Sequence, residues 1–363
     1  MSNIEKIRAA LSNYRYETAN GDATIEALLI TSPVNRFFAC GFQSSAGALL
    51  ISRDGAWFYT DSRYIEAAGA AIKDAQVILV DKDSKYPQLL AALLKESGIT
   101  SLGFEDAAMS YAAYLDWNSK LEVELVPAQN LLNDLRAVKT EADLAKMKKA
   151  QRISEKSFTD LLPRISTDMT EKELAAELVY LFGKNGADDK SFDPIVVSGS
   201  RSSLPHGVPG NGKLSEGFLT IDFGVKLDGW CSDTTRTLCI GPPSAEMENV
   251  YNIVLAAQEA GIAAVRGGVG GREVDAAARA VIEEAGYGDS FGHGFGHGLG
   301  LEVHELPTAA RTYEGILPVG AVISAEPGIY LPGRFGVRIE DVVYVTEDDC
   351  ENITELPKAL TVI

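Results

Sequence analysis

The chain has 363 residues, more than one compact domain usually holds and comfortable for two. Apolar residues make up 46% and charged residues 23%, an ordinary globular balance, and no run of about 18 apolar residues appears, so no membrane span is expected. The net charge of −18 opposes phosphate backbones and argues against a nucleic-acid partner, while leaving room for a group of buried carboxylates held by cations.

The N-terminal stretch MSNIEKIRAALSNYRYE is charged and lacks the apolar core of a signal peptide, so a cytoplasmic protein is expected. The first ~130 residues read as an α/β unit. IEALLI (25–30) predicts a strand, and AGALLIS and AWFYT flank the turn Arg53-Asp54-Gly55 as a hairpin. AQVILV, SLGFED and the alternating LEVELVP predict strands, and YPQLLAALLKESG predicts an amphipathic helix. A boundary is expected near residue 132, giving domains 1–132 and 133–363. The four cysteines, Cys40, Cys231, Cys239 and Cys350, form no CxxC pair and read as free thiols of a reducing compartment.

Beyond the boundary, Thr140 with Asp143 and Thr170 with Glu173 mark the starts of two helices as capping boxes. SFDPIVVSGS, a histidine loop and a hairpin follow. Helical patterns in SAEMENVYNIVLAAQEAGIAAV and REVDAAARAVIEEAGYG, then DSFGHGFGHG and a second hairpin region, repeat that order roughly 100 residues later, too long an offset for a solenoid. A duplicated half-domain with a site between the halves and a coincidental α+β order both fit this pattern.

Within FLTIDFGVKLDGWCSDTTRTLCI, Asp228-Gly229 is a type I′ turn signal. Placing it at the tip pairs Leu227 with Trp230, sets Asp222 opposite Thr235 and Gly224 opposite Asp233, and puts Asp222 and Asp233 on one face as diagonal neighbours, with Gly224 leaving space between them. From the hairpin alone, a solvated face of Asp and Thr is the simpler account. In the second copy Glu326 precedes a Pro-Gly break and Glu340 follows a longer loop, with Arg338 and Glu340 on one face and Val337 and Ile339 on the other.

The chain's four histidines, His206, His293, His297 and His304, all fall in one third of the sequence. In FGHGFGHGLGLEVHE, glycine density disfavours a helix; if the chain is extended there, Phe291, His293, Phe295, His297 and Leu299 point one way and the glycines permit close approach on the other side. No GxGxxG triplet occurs. Asp222, Asp233, His297, Glu326 and Glu340 together supply four carboxylates and one imidazole, a set suited to Mn, Fe, Co or Zn; one dication leaves two net negative charges and two neutralise it. Two such ions about 3.5–4 Å apart can share a hydroxide and polarise a carbonyl.

The segments PHGVPGNGKLSEGFLTIDFG, SDTTRT, FGHGFGHGLGLEVHE, SAEPGIY and VRIED resemble the creatinase/prolidase group of metallopeptidases, as do the N-terminal FACGF and LLISRDGAWFYTDSRYIEAA and the joining DLRAVKTEADLAKMKKA. The resemblance spans nearly the whole chain. It implies an α+β "pita-bread" catalytic domain with pseudo-twofold halves after a smaller α/β domain. It implies an Xaa-Pro dipeptidase or aminopeptidase P acting on small peptides through two divalent ions, manganese foremost and cobalt, zinc or iron as substitutes, with a hydroxide bridging them. Asp222, Asp233, His297, Glu326 and Glu340 become metal ligands, Asp233 and Glu340 bridging. Glu326 is also the proton shuttle. His206 steadies the tetrahedral intermediate, His304 bonds the scissile carbonyl or leaving group, and His293 lines the proline pocket. Arg338 orients Asp233 or substrate, and Tyr330 supports the site. A homodimer is implied by resemblance alone. The rivals are a methionine aminopeptidase-like enzyme, against which Arg338 and the first 130 residues argue, and a non-catalytic interaction protein, against which the full ligand set argues.

Overall fold

The computed structural model describes residues 1–18, 21–83 and 85–363, which form two compact units, Met1–Arg136 and Ala137–Ile363. Among the described residues no helix is long and apolar enough to cross a membrane.

The first unit is built on a six-stranded sheet in which Gln76–Leu79, Ala56–Thr60, Ala48–Ser52, Ala27–Ile30, Ser101–Phe104 and Glu124–Pro127 lie side by side. Its strand Ala27–Ile30 is apolar at every position, and its neighbour Ala48–Ser52 at all but Ser52, because both faces are covered. Leu28, Ile30, Leu49, Ile51 and Phe58 face one core with Ile4, Ile7 and Leu11 of the helix Asn3–Leu11. Ala27, Leu29, Ala48, Leu50 and Tyr59 face the other with Leu90 and Leu94 of the helix Tyr86–Glu96. The hairpin around Arg53-Asp54-Gly55 forms as expected. LEVELVP narrows to Glu124–Pro127, and PAQNLLNDLRA supplies a helix, Gln129–Ala137.

The second unit repeats one motif. Helices Glu141–Leu161 and Glu171–Lys184 both open with the expected capping boxes. They cover an antiparallel sheet of Ile195–Ser198, Gly217–Phe223 and Thr234–Ile240. Helices Ala245–Ala264 and Gly271–Glu284 are followed by a second antiparallel sheet containing Gly296–Gly298, Val322–Ala325 and Asp341–Val345. Strand alternation decides what each face does. Leu219, Ile221 and Phe223 pack on the first helix pair, which turns Asp222 the other way. The two sheets correspond at their ends. Asp222 and Asp233 flank the Phe223–Thr234 pairing, and Glu326 and Glu340 flank the Ala325–Asp341 pairing.

The hairpin tip is the type I′ turn the sequence demands: Asp228 and Gly229 have φ of 49° and 83°, Leu227 pairs with Trp230, and Asp222 lies opposite Thr235. Gly224 has a different reason from the one expected. A Cβ there would lie 2.0 Å from the Ser232 carbonyl and 2.2 Å from the Ser191 hydroxyl, so the glycine admits backbone and a serine rather than clearing space for carboxylates.

Candidate active site

The acids of both copies reach one cavity of about 1070 Å³, whose wall includes Asp222, Asp233, Glu326, Glu340, Arg338 and all four histidines. The first copy delivers Asp222 from the strand Gly217–Phe223 and Asp233 just before the strand Thr234–Ile240. The second delivers Glu326 just beyond the strand Val322–Ala325 and Glu340 just before Asp341–Val345. Val337 and Ile339 are fully buried in a core, so the alternate residues Arg338 and Glu340 face the cavity, as the strand period requires.

The glycine-rich histidine segment departs from the expected extended run. Only Gly296–Gly298 is strand. Phe295 turns into a core with Val274, Ala278 and Ile323, and Phe291 enters another, while His293 and His297 stay on the cavity wall. Burial of two phenylalanines in separate cores bends the chain, and a single apolar face does not survive. The close approach expected at the glycines is present. A Cβ on Gly296 would sit 1.9 Å from the Ser324 carbonyl, and one on Gly298 2.5 Å from that of Glu305.

A ligand atom from each of Asp233, His297 and Glu340 lies within 4.8 Å of the other two. His297 Nδ1 meets the Gly298 carbonyl at 3.1 Å, so that nitrogen carries hydrogen as a donor, and Nε2 points inward 3.2 Å from Glu326 Oε1 and 3.7 Å from Asp233 Oδ2. Glu340 Oε2 accepts from Thr235 Oγ1 at 2.8 Å. Asp222 Oδ2 accepts from Arg338 Nη2 at 2.8 Å, and its buried Oδ1 has no hydrogen-bond partner.

This grouping is strained electrostatically. Burial, reinforced by Glu340, Asp222 and Glu326, raises Asp233 well above the usual carboxylate range. Glu340 is raised likewise by burial and by the charges of Glu326 and Asp222, and Asp222 is raised by burial against the opposing pull of Arg338. Glu326 goes the other way: burial pushes it up, but the hydrogen bond to His297 holds it at about 2. His297, which burial alone would lower, is raised by that same partner. An orphaned buried oxygen, mutually repelling carboxylates and an imidazole oriented by a carbonyl fit hard or borderline divalent cations.

Arg338 does not engage Asp233. Its guanidinium is fixed by Asp222, Thr235 Oγ1 at 3.0 Å, the Pro205 carbonyl at 3.1 Å and Tyr330 Oη at 2.8 Å, because Asp222 faces it across the sheet while Asp233 is turned to His297. Tyr330 stands behind the cavity wall: its hydroxyl accepts from Arg338 and donates to His293 Nε2 at 3.0 Å, the His293 Nδ1–H being directed at the Gly294 carbonyl. Burial lowers His293 below the ordinary imidazole range. His304, exposed at the cavity, has its ring 4.2 Å from that of His297 at a tilt of 53°, and is lowered by partial burial and by the charge of His297. His206, beside Pro205, is exposed and also lines the cavity. Thr235 was legible in sequence as a member of the acid face. Its role, holding Glu340 and Arg338 at once, was not.

Known proteins resemble this chain in sequence and fold. Residues 145–347 match the model of metallopeptidase family M24, and residues 15–138 match the creatinase/prolidase N-terminal domain. An Xaa-Pro dipeptidase of Pyrococcus furiosus is 35% identical over 93% of this chain and 95% of its own. The solved structure of an Xaa-Pro dipeptidase from Bacillus anthracis superposes with a TM-score of 0.93 at 39% identity, covering 99% of both chains. An X-Pro aminopeptidase from Thermotoga maritima superposes at 0.88 with 37% identity, covering 93% of this chain and 98% of its own. The chain is a hydrolase of metallopeptidase family M24, a pita-bread enzyme of the creatinase/prolidase group.

Proposed function

We propose that this enzyme removes the first residue from dipeptides or short peptides whose second residue is proline. The observation that carries the reading is the convergence of Asp222, Asp233, Glu326 and Glu340 with His297 on a cavity that His206, His293 and His304 also line. The relatives named as acting on Xaa-Pro bonds agree with it.

In this reading Asp222, Asp233, His297, Glu326 and Glu340 would hold two divalent ions, manganese foremost. When bound, such ions activate water and polarise a carbonyl. The protein's own groups do the rest. Glu326 takes a proton from the attacking water and passes it to the imino nitrogen of proline. The low value of Glu326 depends on a protonated His297, and a cation on His297 Nε2 would replace that proton. His304 and His206, both on the cavity wall, donate toward the developing oxyanion. Arg338 fixes Asp222, and Tyr330 fixes His293 against the proline ring. A tertiary amide has no N–H, so an apolar floor suffices beneath it. A cytoplasmic homodimer completes the proposal.

The test is hydrolysis of Ala-Pro and Ala-Pro-Pro by chelator-stripped protein resupplied with Mn, Co, Zn or Fe. Metal-dependent release of alanine from either is expected, and their ratio separates dipeptidase from aminopeptidase P. Inertness toward both with every metal overturns the reading.

A further inference from the structure

Two loops carry the substrate-facing histidines, and neither is held by a sheet where the histidine sits. His293 lies between Gly292 and Gly294, ahead of the short strand Gly296–Gly298, in backbone with large conformational freedom. His206 lies in a segment whose side chains Leu204 and Val208 are 46% and 76% exposed, with the Pro205 carbonyl held by Arg338.

Each loop is instead gripped by an acid–arginine pair whose acid belongs to the second helix of its own copy. In the second copy, Asp275 and Arg279 on Gly271–Glu284 form a buried pair, with Nε–Oδ2 at 2.7 Å and Nη2–Oδ1 at 2.9 Å. Arg279 donates to the Phe291 and His293 carbonyls, both at 2.8 Å, and Asp275 Oδ1 accepts from the Phe295 N–H at 3.0 Å. The guanidinium also stacks 4.1 Å from the centre of the Phe291 ring. In the first copy, buried Glu171 on Glu171–Lys184 accepts from the Ser198 N–H and the Gly210 N–H, both at 2.8 Å, and from Arg201 Nε at 3.0 Å. Arg201 Nη2 donates to the Val208 carbonyl at 2.6 Å. Both pairs close around a histidine: 291–295 encloses His293, and 198–210 encloses His206.

We infer that Asp275–Arg279 and Glu171–Arg201 are paired positioning clamps that set His293 and His206 against the substrate. The inference rests on the proposed reading of those histidines as substrate contacts. A planar guanidinium reaches two carbonyls and a carboxylate at once, and an ammonium on a flexible stem does not. A misplacement of about 1 Å of a substrate-positioning group costs on the order of 100-fold in rate.

Arg279→Lys keeps the charge and removes the fork. In the metal-loaded enzyme it should lower kcat/KM about 10- to 100-fold, with bound metal and Tm nearly unchanged. In a His293→Ala background the same change should cost no more than about 2-fold, because groups that act as a unit are not additive. Glu171→Gln should behave likewise against His206→Ala. With only four histidines in the chain, imidazole NMR of zinc-loaded protein gives a readout independent of turnover. In Arg279→Lys the His293 signals should move while those of His304 stay. If Arg279→Lys does not fold, Asp275→Asn serves in its place. Equal losses in both backgrounds, or an unmoved His293 signal, overturn the clamp. If His293→Ala keeps full turnover, the substrate role of His293 falls, and the NMR shift then decides the clamp's geometry by itself.

Discussion

Glu105 in the first unit and the cavity acids of the second unit are buried in opposite ways. Glu105, in the first unit, is fully buried and surrounded by donors: the Thr31 N–H at 2.5 Å, the Ser32 N–H at 2.9 Å, the Ser32 hydroxyl at 2.5 Å and Asn35 Nδ2 at 2.7 Å. Its charge lies at the start of the helix Pro33–Cys40, where unpaired N–H groups favour an anion. The cavity acids of the second unit have few donors and one another for neighbours. Asp222 keeps a buried oxygen unpaired, and Asp233 and Glu340 are each raised by burial and by nearby carboxylates. A buried carboxylate ringed by N–H and O–H groups is a structural pin, whereas buried carboxylates facing each other are a site in want of cations.

The strongest way to break this contrast is Asp233→Asn. It keeps the volume and removes one charge from the group, and it should lower kcat/KM by about 10³-fold or more, with loss of bound metal measured by elemental analysis. Retained metal with near-normal turnover would remove Asp233 from the ligand set. Glu105→Ala should do the reverse. It strands several buried donors and should cost about 3 kcal/mol or more in a urea denaturation, while native protein keeps its metal content. A metal loss matching that of Asp233→Asn would mean the two kinds of buried acid are not distinct.

A smaller effect separates holding a ligand from being one. Arg338→Lys retains a positive charge near Asp222 but loses the simultaneous contacts to Thr235, Tyr330 and the Pro205 carbonyl. Loss of such support typically costs about 10- to 100-fold. A fall in that range with weakened metal binding is expected in a titration with Mn, and wild-type affinity together with wild-type turnover would leave Arg338 a bystander.

Much of this is legible in the amino-acid sequence. Asp228-Gly229 fixes the hairpin register, the register brings Asp222 and Asp233 to one face, and Thr140 and Thr170 open their helices with the acids three residues on. These are local rules, and local chemistry decides them. What stayed hidden depends on partners distant in sequence. Phe291 and Phe295 read as one face with His293 until separate cores claim them. Asp275 and Arg279, four apart on a helix, have the spacing of any i,i+4 pair, and nothing nearby in sequence reveals that they grip a loop 12 to 20 residues away. Arg338 sits two residues before Glu340, yet its partner, Asp222, lies 116 residues upstream.

The gentlest test of the contrast uses His293, a half-buried base whose pKa is lowered. Burial lowers its pKa below the 6.5 of an ordinary imidazole, with Arg338 adding to the shift and Glu326 opposing it. The unfolded chain takes up this proton near pH 6.5, and the folded chain resists it to lower pH. Between those points the unfolded state binds more protons, so folding stability contributed by this residue is complete above about pH 6.5 and is lost as the pH falls toward the folded value. His304 is also lowered and acts in the same direction, so wild type alone does not isolate His293. His293→Gln does: its side chain keeps an acceptor for the Tyr330 hydroxyl and has no proton to gain. Thermal unfolding of metal-loaded protein between pH 7.5 and 5 should therefore show Tm falling more steeply in wild type than in the variant. Parallel curves would mean that His293 titrates as it does in the unfolded chain, and that the wall behind the cavity is wetter than its hydrogen bonds indicate.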